Sequence, residues 1–206
     1  MRAALVAIEG IDQAGKMTLA DGLCARLAAR GFKTATRHYP DYDTPIGSLL
    51  RAALAAGRVP DVRARSLLFA ANRWEQDAAL RAELEISTLV CVDRYTGSNL
   101  VYGMAQGLDA DWLRGLEIGL TPADLTVLVD LVPEESSRRK ARARDDYERD
   151  TALLSAAQSI YRSVAAAENW VILDGAAAPA QVLDAAARAI GARLAARFPI
   201  LGALID

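Results

Sequence analysis

The feature that most constrains this chain is a glycine-flanked turn near its start, Gly10-Ile11-Asp12-Gln13-Ala14-Gly15-Lys16. An apolar run at residues 3–8 precedes the turn, and an amphipathic helical pattern begins at Thr18. A strand, a glycine-flanked turn, a lysine and a helix in this order are typical of a phosphate-binding loop. The glycines permit a tight turn whose N–H groups point at one centre, and Lys16 supplies a cation. The sequence therefore predicts a site for the phosphates of a nucleotide.

One position departs from the usual loop. The residue after the lysine is normally Ser or Thr, whose hydroxyl binds Mg²⁺. Here it is Met17, and Thr18 follows one place later. A thioether is a poor ligand for a hard cation. The loop therefore predicts a phosphate site more strongly than it predicts the usual metal coordination. The alternative is a chance match in a surface turn, which the flanking strand and helix disfavour.

Strand and helix patterns alternate along the chain. Near-continuous apolar character predicts strands covered on both faces, hence a parallel sheet. After the first strand, strands are predicted at residues 34–39, 88–92, 125–131 and 170–173. Helices are predicted at residues 18–29, 45–56, 61–84, 109–120, 133–144, 151–167 and 179–197. We expect one α/β domain over residues 1–206, a doubly wound parallel five-stranded sheet flanked by helices.

Net charge, the length of the apolar runs and the cysteine content exclude some classes of function and location. The net charge of −2 gives no basic field that would favour nucleic acid, and the apolar runs are too short to cross a membrane. Cys24 and Cys91 both lie in apolar patterns and are expected to be packed thiols rather than a disulfide or a metal pair. Reduced thiols and the absence of a targeting segment favour the cytoplasm. The apolar segment 198–205 is expected to pack on the body or on a partner subunit.

Two charged residues follow the third predicted strand, at the edge of the sheet where ligands bind in such folds. Asp93 closes the apolar run, where phosphate-loop enzymes place a carboxylate that binds the metal, usually through water. A helix cap or an ion pair with Arg94 is the structural alternative. Arg94 would face the same cleft and could bind a phosphate with two N–H groups.

A basic segment lies beyond the fourth predicted strand. Residues 138–144 contain five cations and no acid, and Arg138 and Arg142 lie on one face of a helix. An acid-rich segment at residues 145–150 follows. A solvated surface helix is the simpler interpretation. The position above the phosphate site instead favours a lid, at about residues 133–149, that closes on phosphates and excludes water.

A further pair lies on the long third helix. Phe69 and Arg73 are four residues apart and share a face. An aromatic ring and a guanidinium so placed can stack on a nucleobase and hydrogen-bond to it. The alternative is a core phenylalanine beside an exposed arginine.

Several motifs, taken in order, resemble the thymidylate kinase family. They are Glu9-Gly10-Ile11-Asp12-x-Ala14-Gly15-Lys16-x-Thr18, Asp93-Arg94-Tyr95-x-x-Ser98-Asn99-x-x-Tyr102, Pro122-Ala123-Asp124-Leu125, the basic lid, and Arg144-Asp145-Asp146-Tyr147-Glu148-Arg149-Asp150. The resemblance runs from the first strand to about residue 175. It is closest to the bacterial branch, and the lid is similar to that of actinobacterial members.

The resemblance implies an activity and roles for residues. The family transfers the γ-phosphoryl group of ATP to dTMP with Mg²⁺, giving dTDP for dTTP synthesis, and is usually a homodimer formed through its long helices. Catalytic roles are implied for Asp12, Lys16, Arg94, Arg138 and Arg142. ATP binding is implied for Gly10, Ile11, Asp12, Gln13, Ala14, Gly15, Lys16, Met17 and Thr18. Metal binding is implied for Asp12, Asp93 and Glu148.

The acceptor site follows from the same resemblance. Phe69 is implied to stack on thymine, Arg73 to bind the base O4, and Asn99 to bind the base edge. Tyr102 is implied to crowd the sugar 2′ position. The whole implied substrate set is Tyr39, Pro40, Phe69, Arg73, Arg94, Ser98, Asn99, Tyr102 and Tyr147.

Two further positions depart from the family pattern, Gln13 and Asp41, and Asp41 stands where some members carry an arginine beside the acceptor phosphate. Gln13 stands where the family carries Gly or an arginine that stabilises the transferred phosphoryl group, so the charge would come from the lid. Two other functions stay open at this point. One is another nucleotide or deoxynucleotide kinase on the same fold, and the other is a nucleotide-binding regulatory protein that has lost catalysis.

Overall fold

The computed structural model describes residues 2–56, 61–139 and 151–205. Five parallel strands form one sheet in the order β2-β3-β1-β4-β5, with helices on both faces. The strands are β1 (Ala4–Glu9), β2 (Thr34–His38), β3 (Leu89–Asp93), β4 (Leu125–Asp130) and β5 (Val171–Asp174). The helices are α1 (Lys16–Ala28), α2 (Pro45–Ala55), α3 (Val62–Ile86), α4 (Thr96–Ala105), α5 (Ala110–Gly115), α6 (Pro133–Arg139), α7 (Thr151–Ala167) and α8 (Pro179–Leu194). The predicted fold class is confirmed.

The central strand carries the phosphate loop. All residues of β1 are buried, because the strand has neighbours on both edges and helices over both faces. In the sheet register, Ile8 of β1 lies opposite Asp93 of β3 and opposite Val127 of β4. The carboxyl ends of these strands therefore meet at one edge, where ligands bind in this type of sheet.

Helix starts follow the capping residues that the sequence offers. The Thr44 hydroxyl accepts a hydrogen bond from Gly47 N at 3.1 Å and caps α2, which has Pro45 at its first position. The Asp61 carboxylate accepts from Arg63 N at 2.7 Å and caps α3. Helix α1 differs, because Gly15 precedes it and no side chain of the described residues caps it.

The region after β3 departs from the prediction. Helix α4 was not predicted, because Gly97 and Gly103 weaken its helical signal and the residue at its N-cap, Tyr95, makes no side-chain capping hydrogen bond. Packing requires Gly97, since a Cβ there would lie 2.7 Å from the Trp170 ring. The helix predicted at residues 109–120 is shorter than expected. It is capped by Asp109, whose carboxylate accepts from Trp112 N at 2.8 Å, and it ends at Gly115.

The C-terminal segment packs on the body of the domain. Pro199–Leu204 forms a 3₁₀ helix, and Leu201 and Leu204 are fully buried in the core formed by α1, α8 and the sheet. Cys24 and Cys91 are free, buried thiols, as expected. Within the described ranges, no helix combines the length and the hydropathy that crossing a membrane requires.

Candidate active site

The loop between β1 and α1 has the backbone of a phosphate-binding turn. Gly10 adopts φ 145°, and a Cβ at this position would lie 2.5 Å from the carbonyl oxygen of Val129. Gly15 has φ 92° and Gln13 has φ 58°, both in the left-handed region. With no side-chain cap, the N–H groups of the first turn of α1 face the cleft, as anion binding at a helix N-terminus requires.

The side chains of the loop divide into two groups. Ile11 and Ala14 are buried beneath the loop and anchor it to the core. Gln13, Met17 and Thr18 are exposed. Met17 is 37% exposed, so the residue at the usual metal-binding position lies on the open side of the helix start.

Lys16 lies beneath the loop with little contact with solvent. Its ammonium donates a hydrogen bond to the carbonyl oxygen of Ile11 at 3.0 Å and lies 3.9 Å from Oδ1 of Asp93. Burial, and then the nearby positive charge of Arg94, lower the pKa of Lys16 to about 8. Without ligand, Lys16 therefore loses its charge at a lower pH than an ordinary lysine does.

Arg94 lies directly after β3, in a left-handed conformation with φ 61°. Its guanidinium pairs with the Asp12 carboxylate and donates to Ser98 Oγ at 3.2 Å and to the Gly10 carbonyl oxygen at 3.3 Å. It also lies over the Tyr102 ring, 5.5 Å from the centroid. Burial opposes the charge, but Asp12 raises the pKa of Arg94 well above its ordinary value. These side chains form one cluster at the edge of the phosphate loop.

A fully buried carboxylate holds this cluster in place. Glu9, the last residue of β1, accepts hydrogen bonds from Tyr95 N at 2.8 Å and from Ser98 N at 3.1 Å. Its second oxygen accepts from Ser98 Oγ at 2.6 Å and from the Tyr161 hydroxyl at 3.1 Å. Because Ser98 Oγ also accepts from Arg94, Glu9 positions the arginine through Ser98. The sequence placed Glu9 in a motif but gave no signal for its partner on α7.

A second cluster lies between α3, α4 and the turn after α5. Arg73 is 3% exposed and forms an ion pair with Glu117, in which Nε donates at 3.0 Å. Asn99 Nδ2 donates to Glu117 at 2.9 Å and to the Ser66 carbonyl oxygen at 3.3 Å. Phe69 lies one helical turn before Arg73 on α3. Glu117 was not predicted as a site residue, because a lone acid after a short helix gives no signal for this pairing.

The turn after β2 forms another wall near the carboxyl ends of the strands. The Tyr39–Pro40 peptide bond is cis, and the Tyr39 ring lies 5.7 Å from the Tyr95 ring. The buried side-chain amide of Asn72 hydrogen-bonds to both the N–H and the carbonyl group of Asp41, the residue after Pro40. It accepts from Asp41 N at 2.8 Å and donates to the Asp41 carbonyl oxygen at 3.0 Å. A side chain from α3 thus fixes this turn.

The residues at the loop fit a hard divalent cation in part. Oδ1 of Asp93 is buried and has no hydrogen-bond partner among the residues the structure describes. An unsatisfied carboxylate oxygen beside a phosphate loop suits Mg²⁺, which keeps several waters and takes few protein ligands. Asp12 lies on the same side, but Met17 offers no hard ligand. The described ranges contain no group of three or more His, Cys, Asp or Glu side chains that could hold an ion by themselves.

Side chains of helix α6 contact the backbone of the phosphate loop. Ser136 Oγ donates to the Asp12 carbonyl oxygen at 2.8 Å. Arg139 donates to the Gly175 carbonyl oxygen at 3.0 Å and to the Gln13 carbonyl oxygen at 3.4 Å. The start of the predicted lid is therefore attached to the phosphate loop through hydrogen bonds to its backbone.

Only one of the two cations predicted to be the chief lid residues belongs to the described part of the chain. Arg138 is 78% exposed and pairs with Glu135 on its own helix rather than with the loop. Arg142, Tyr147 and Glu148 lie outside the described residues, as does the part of the predicted lid beyond residue 139.

The fold and the site together define a class of protein. A phosphate loop follows the central strand of a 2-3-1-4-5 parallel sheet, and the neighbouring strand ends in a carboxylate followed by an arginine. This is the architecture of a nucleoside monophosphate kinase. The family model described as thymidylate kinase matches residues 8–186. The chain belongs to the thymidylate kinase family, whose members are ATP-dependent kinases.

Individual relatives agree with this assignment. A thymidylate kinase of Arabidopsis thaliana is 35% identical over 72% of this chain and 56% of its own length, so this match spans little more than half of that relative. The thymidylate kinase of Dictyostelium discoideum is 30% identical over 84% of this chain and 78% of its own. The solved structure of the thymidylate kinase of Candida albicans superimposes with a TM-score of 0.80 at 27% identity, covering 93% of this chain and 92% of that one.

Proposed function

We propose that this chain transfers the γ-phosphoryl group of ATP to dTMP. The observation that carries the proposal is the pairing of two cations at neighbouring strand ends. Lys16 lies beneath the loop after β1, and Arg94 follows β3 and reaches the same loop. One cation faces the donor side and the other the acceptor side, so two anionic nucleotides can meet between them.

The donor phosphates are bound by the phosphate loop in this proposal. The uncapped first turn of α1 offers backbone N–H groups and a positive helix end. Lys16 binds the terminal phosphates and stabilises charge that develops during transfer. Its present partner, the carbonyl oxygen of Ile11, is neutral, so an incoming phosphate is a stronger acceptor.

The acceptor is bound by Arg94 and by the cluster around it. Arg94 binds the acceptor phosphate, and Asp12 and Ser98 orient the guanidinium. Tyr102 lies against the same guanidinium, where it would contact the sugar. Arg73 and Asn99 bind the base, and Phe69 stacks on it. Tyr39 and Pro40 form the opposite wall of the acceptor site.

Asp93 and Asp12 are the described residues that would hold Mg²⁺, with Glu148 as the further candidate. The ion would neutralise charge on the donor phosphates and orient them. Asp93 suits this role because its buried Oδ1 lacks a hydrogen-bond partner among the described residues. Arg138 and Arg142 stay the proposed sources of transition-state charge, and Arg139 joins them because it contacts the loop at Gln13.

An acceptor panel tests the proposal. ADP release from ATP is measured with dTMP, dUMP, dCMP, dGMP and thymidine, each as sole acceptor. We expect dTMP to give the highest kcat/KM. A preference for another nucleotide would identify another kinase on this fold. ATP binding with no ADP release for any acceptor would identify an inactive regulatory protein. The family match and the relatives give no support to either alternative.

Three finer assignments accompany the activity. We place the chain in the bacterial branch because of its basic lid segment, although the relatives it matches include eukaryotic and archaeal enzymes as well as that of Mycobacterium tuberculosis. We place it in the cytoplasm because its thiols are free. We expect it to bind neither nucleic acid nor membrane.

We also propose a homodimer formed through α3. Leu67, Ala71, Trp74 and Ala78 form one stripe along this helix at helical spacing. Leu67 is 48% exposed and Trp74 is 42% exposed. Ile118, in the turn that Trp74 contacts, is 77% exposed. A contiguous apolar surface of this kind is typical of a protein interface.

A further inference from the structure

We propose that Glu117 sets the base specificity of the acceptor site by fixing which hydrogen-bonding atoms Arg73 and Asn99 present to the ligand. The inference rests on the proposed function and deepens it, because it concerns the same acceptor site. Glu117 is a positioning residue here, since it acts through its two neighbours.

The first neighbour is held in one orientation. Arg73 directs Nε and Nη2 at the two oxygens of Glu117, in a bidentate pair between largely buried side chains. This pairing fixes the plane of the guanidinium. Its remaining nitrogen, Nη1, has no hydrogen-bond partner among the described residues. Because a guanidinium can only donate, Arg73 offers the ligand an N–H group and nothing else.

The second neighbour, Asn99, is held so that it presents a hydrogen-bond acceptor, where Arg73 presents a donor. Asn99 Nδ2 lies 2.9 Å from Glu117 Oε1 and 3.3 Å from the Ser66 carbonyl oxygen. A carboxylate and a carbonyl only accept hydrogen bonds, so both must face the NH₂ group of the amide. Both N–H groups are thereby used within the protein. Asn99 is left with Oδ1, which can only accept.

The two free atoms form a recognition pattern, with a donor on Arg73 and an acceptor on Asn99. A pyrimidine with a carbonyl oxygen beside a ring N–H matches this pattern, as thymine and uracil do. Cytosine presents an amino group beside an unprotonated ring nitrogen, and so reverses both positions. Binding cytosine would leave buried polar groups unpaired, which is the strongest basis for discrimination between similar ligands.

The pattern depends on a carboxylate at position 117. In Glu117→Gln, the new amide brings its own N–H group, so position 117 no longer requires the NH₂ group of Asn99. Only the longer contact with the Ser66 carbonyl oxygen, at 3.3 Å, then favours the original orientation of the Asn99 amide. Arg73 also loses the ionic part of its bidentate pair. The variant keeps nearly the same volume, so packing alone predicts no change in base preference.

The test compares kcat/KM for dTMP and dCMP in the wild type and in Glu117→Gln. We expect the ratio of the two values to fall about tenfold or more, with a raised KM for dTMP and an unchanged KM for ATP. Asp184→Asn is the control, because it neutralises a carboxylate that pairs with Arg26 between α8 and α1, and neither helix carries a proposed acceptor residue. The control should keep the wild-type ratio.

Folding of each variant is checked by circular dichroism. A folded Glu117→Gln with an unchanged ratio would overturn the inference. If Glu117→Gln does not fold, Glu117→Asp carries the test. Aspartate, like glutamate, only accepts hydrogen bonds, so the ratio of kcat/KM for dTMP to that for dCMP should persist. Its shorter side chain should raise the KM for dTMP. A lost preference for dTMP or an unchanged KM would contradict the inference.

A failure of the proposed function has a different signature. If the wild type does not phosphorylate dTMP, the same comparison is made by calorimetric binding of dTMP and dCMP. A wild-type preference for dTMP in binding that Glu117→Gln weakens would support the inference although the activity is absent. Equal binding of both ligands by the wild type would overturn it.

Discussion

The ammonium of Lys16 lies 3.9 Å from Oδ1 of Asp93, which belongs to the neighbouring strand. Lys16 is 6% exposed, and burial lowers its pKa to about 8. The partial compensation by Asp93 keeps the lysine charged at neutral pH in the free enzyme. Binding of ATP adds negative charge beside it and so raises the pKa of Lys16 in the complex.

This relationship predicts a pH dependence. The charged form binds phosphate, and Lys16 loses its charge as the pH rises through about 8 in the free enzyme. We therefore expect kcat/KM for ATP to fall above that pH, by about tenfold per pH unit at the limit. The value of kcat should stay constant to a higher pH, because kcat reports the ATP complex, in which the pKa of Lys16 is raised.

Lys16→Arg provides the control for this profile. An arginine stays charged throughout the range, so the alkaline fall in kcat/KM should disappear even if the absolute rate is lower. The same fall in wild type and variant would assign the titration to another group.

The two loop glycines predict different effects on stability. Gly10→Ala introduces a Cβ that would lie 2.5 Å from the Val129 carbonyl oxygen, whereas Gly15→Ala meets no atom within 4 Å. Both have positive φ and pay a conformational cost of about 1–2 kcal/mol. The overlap adds a further cost of about 1–3 kcal/mol at Gly10 alone. In chemical denaturation without nucleotide, Gly10→Ala should therefore have a clearly lower free energy of unfolding than Gly15→Ala. Equal losses would contradict the close approach.

The buried contact between Tyr161 and Glu9 predicts an effect on the acceptor. Tyr161→Phe removes the hydroxyl that binds Glu9 at 3.1 Å and lies 2.9 Å from Ser98 Oγ. We expect a loss of about 1 kcal/mol in unfolding free energy. Because Ser98 also binds Arg94, the KM for dTMP should rise several-fold while the KM for ATP changes little. Equal changes in both KM values would indicate a general loss of structure.

The stripe on α3 predicts a dimer that a single charge disrupts. Leu67→Glu should convert a dimer to a monomer in sedimentation experiments, because an unpaired carboxylate would be buried at the interface. Ile172→Glu is a control of matched exposure, since Ile172 is 49% exposed and Leu67 is 48% exposed. A dimer that survives Leu67→Glu, or a wild type that is monomeric, would place the interface elsewhere or remove it.

Local sequence patterns were sufficient for much of this fold. Buried parallel strands are apolar along their whole length, so their positions could be predicted within one residue at each end. The phosphate loop was recognisable because its function needs glycines and a lysine at fixed spacing. Helix α4 was not recognisable, since Gly97 is retained for contact with Trp170 at the expense of helical propensity.

The supporting contacts of the site were beyond such patterns. Glu9 and Tyr161 are 152 positions apart, and Arg73 and Glu117 are 44 apart. A pairing of this kind leaves no periodic signal in one sequence, because it depends on how helices pack on the sheet. The sequence could therefore suggest candidate ligand-binding residues, but not the role of Glu117 or the contact between Glu9 and Tyr161.

The central claim is that phosphoryl transfer to dTMP occurs between Lys16 and Arg94. The most direct measurement follows the label from γ-³²P ATP into dTDP with the wild type and with Lys16→Met. We predict that the wild type places the label in dTDP and that the variant is slower by about 10²-fold or more. Wild-type enzyme that leaves the label in ATP, or a folded variant that matches the wild-type rate, would contradict the account.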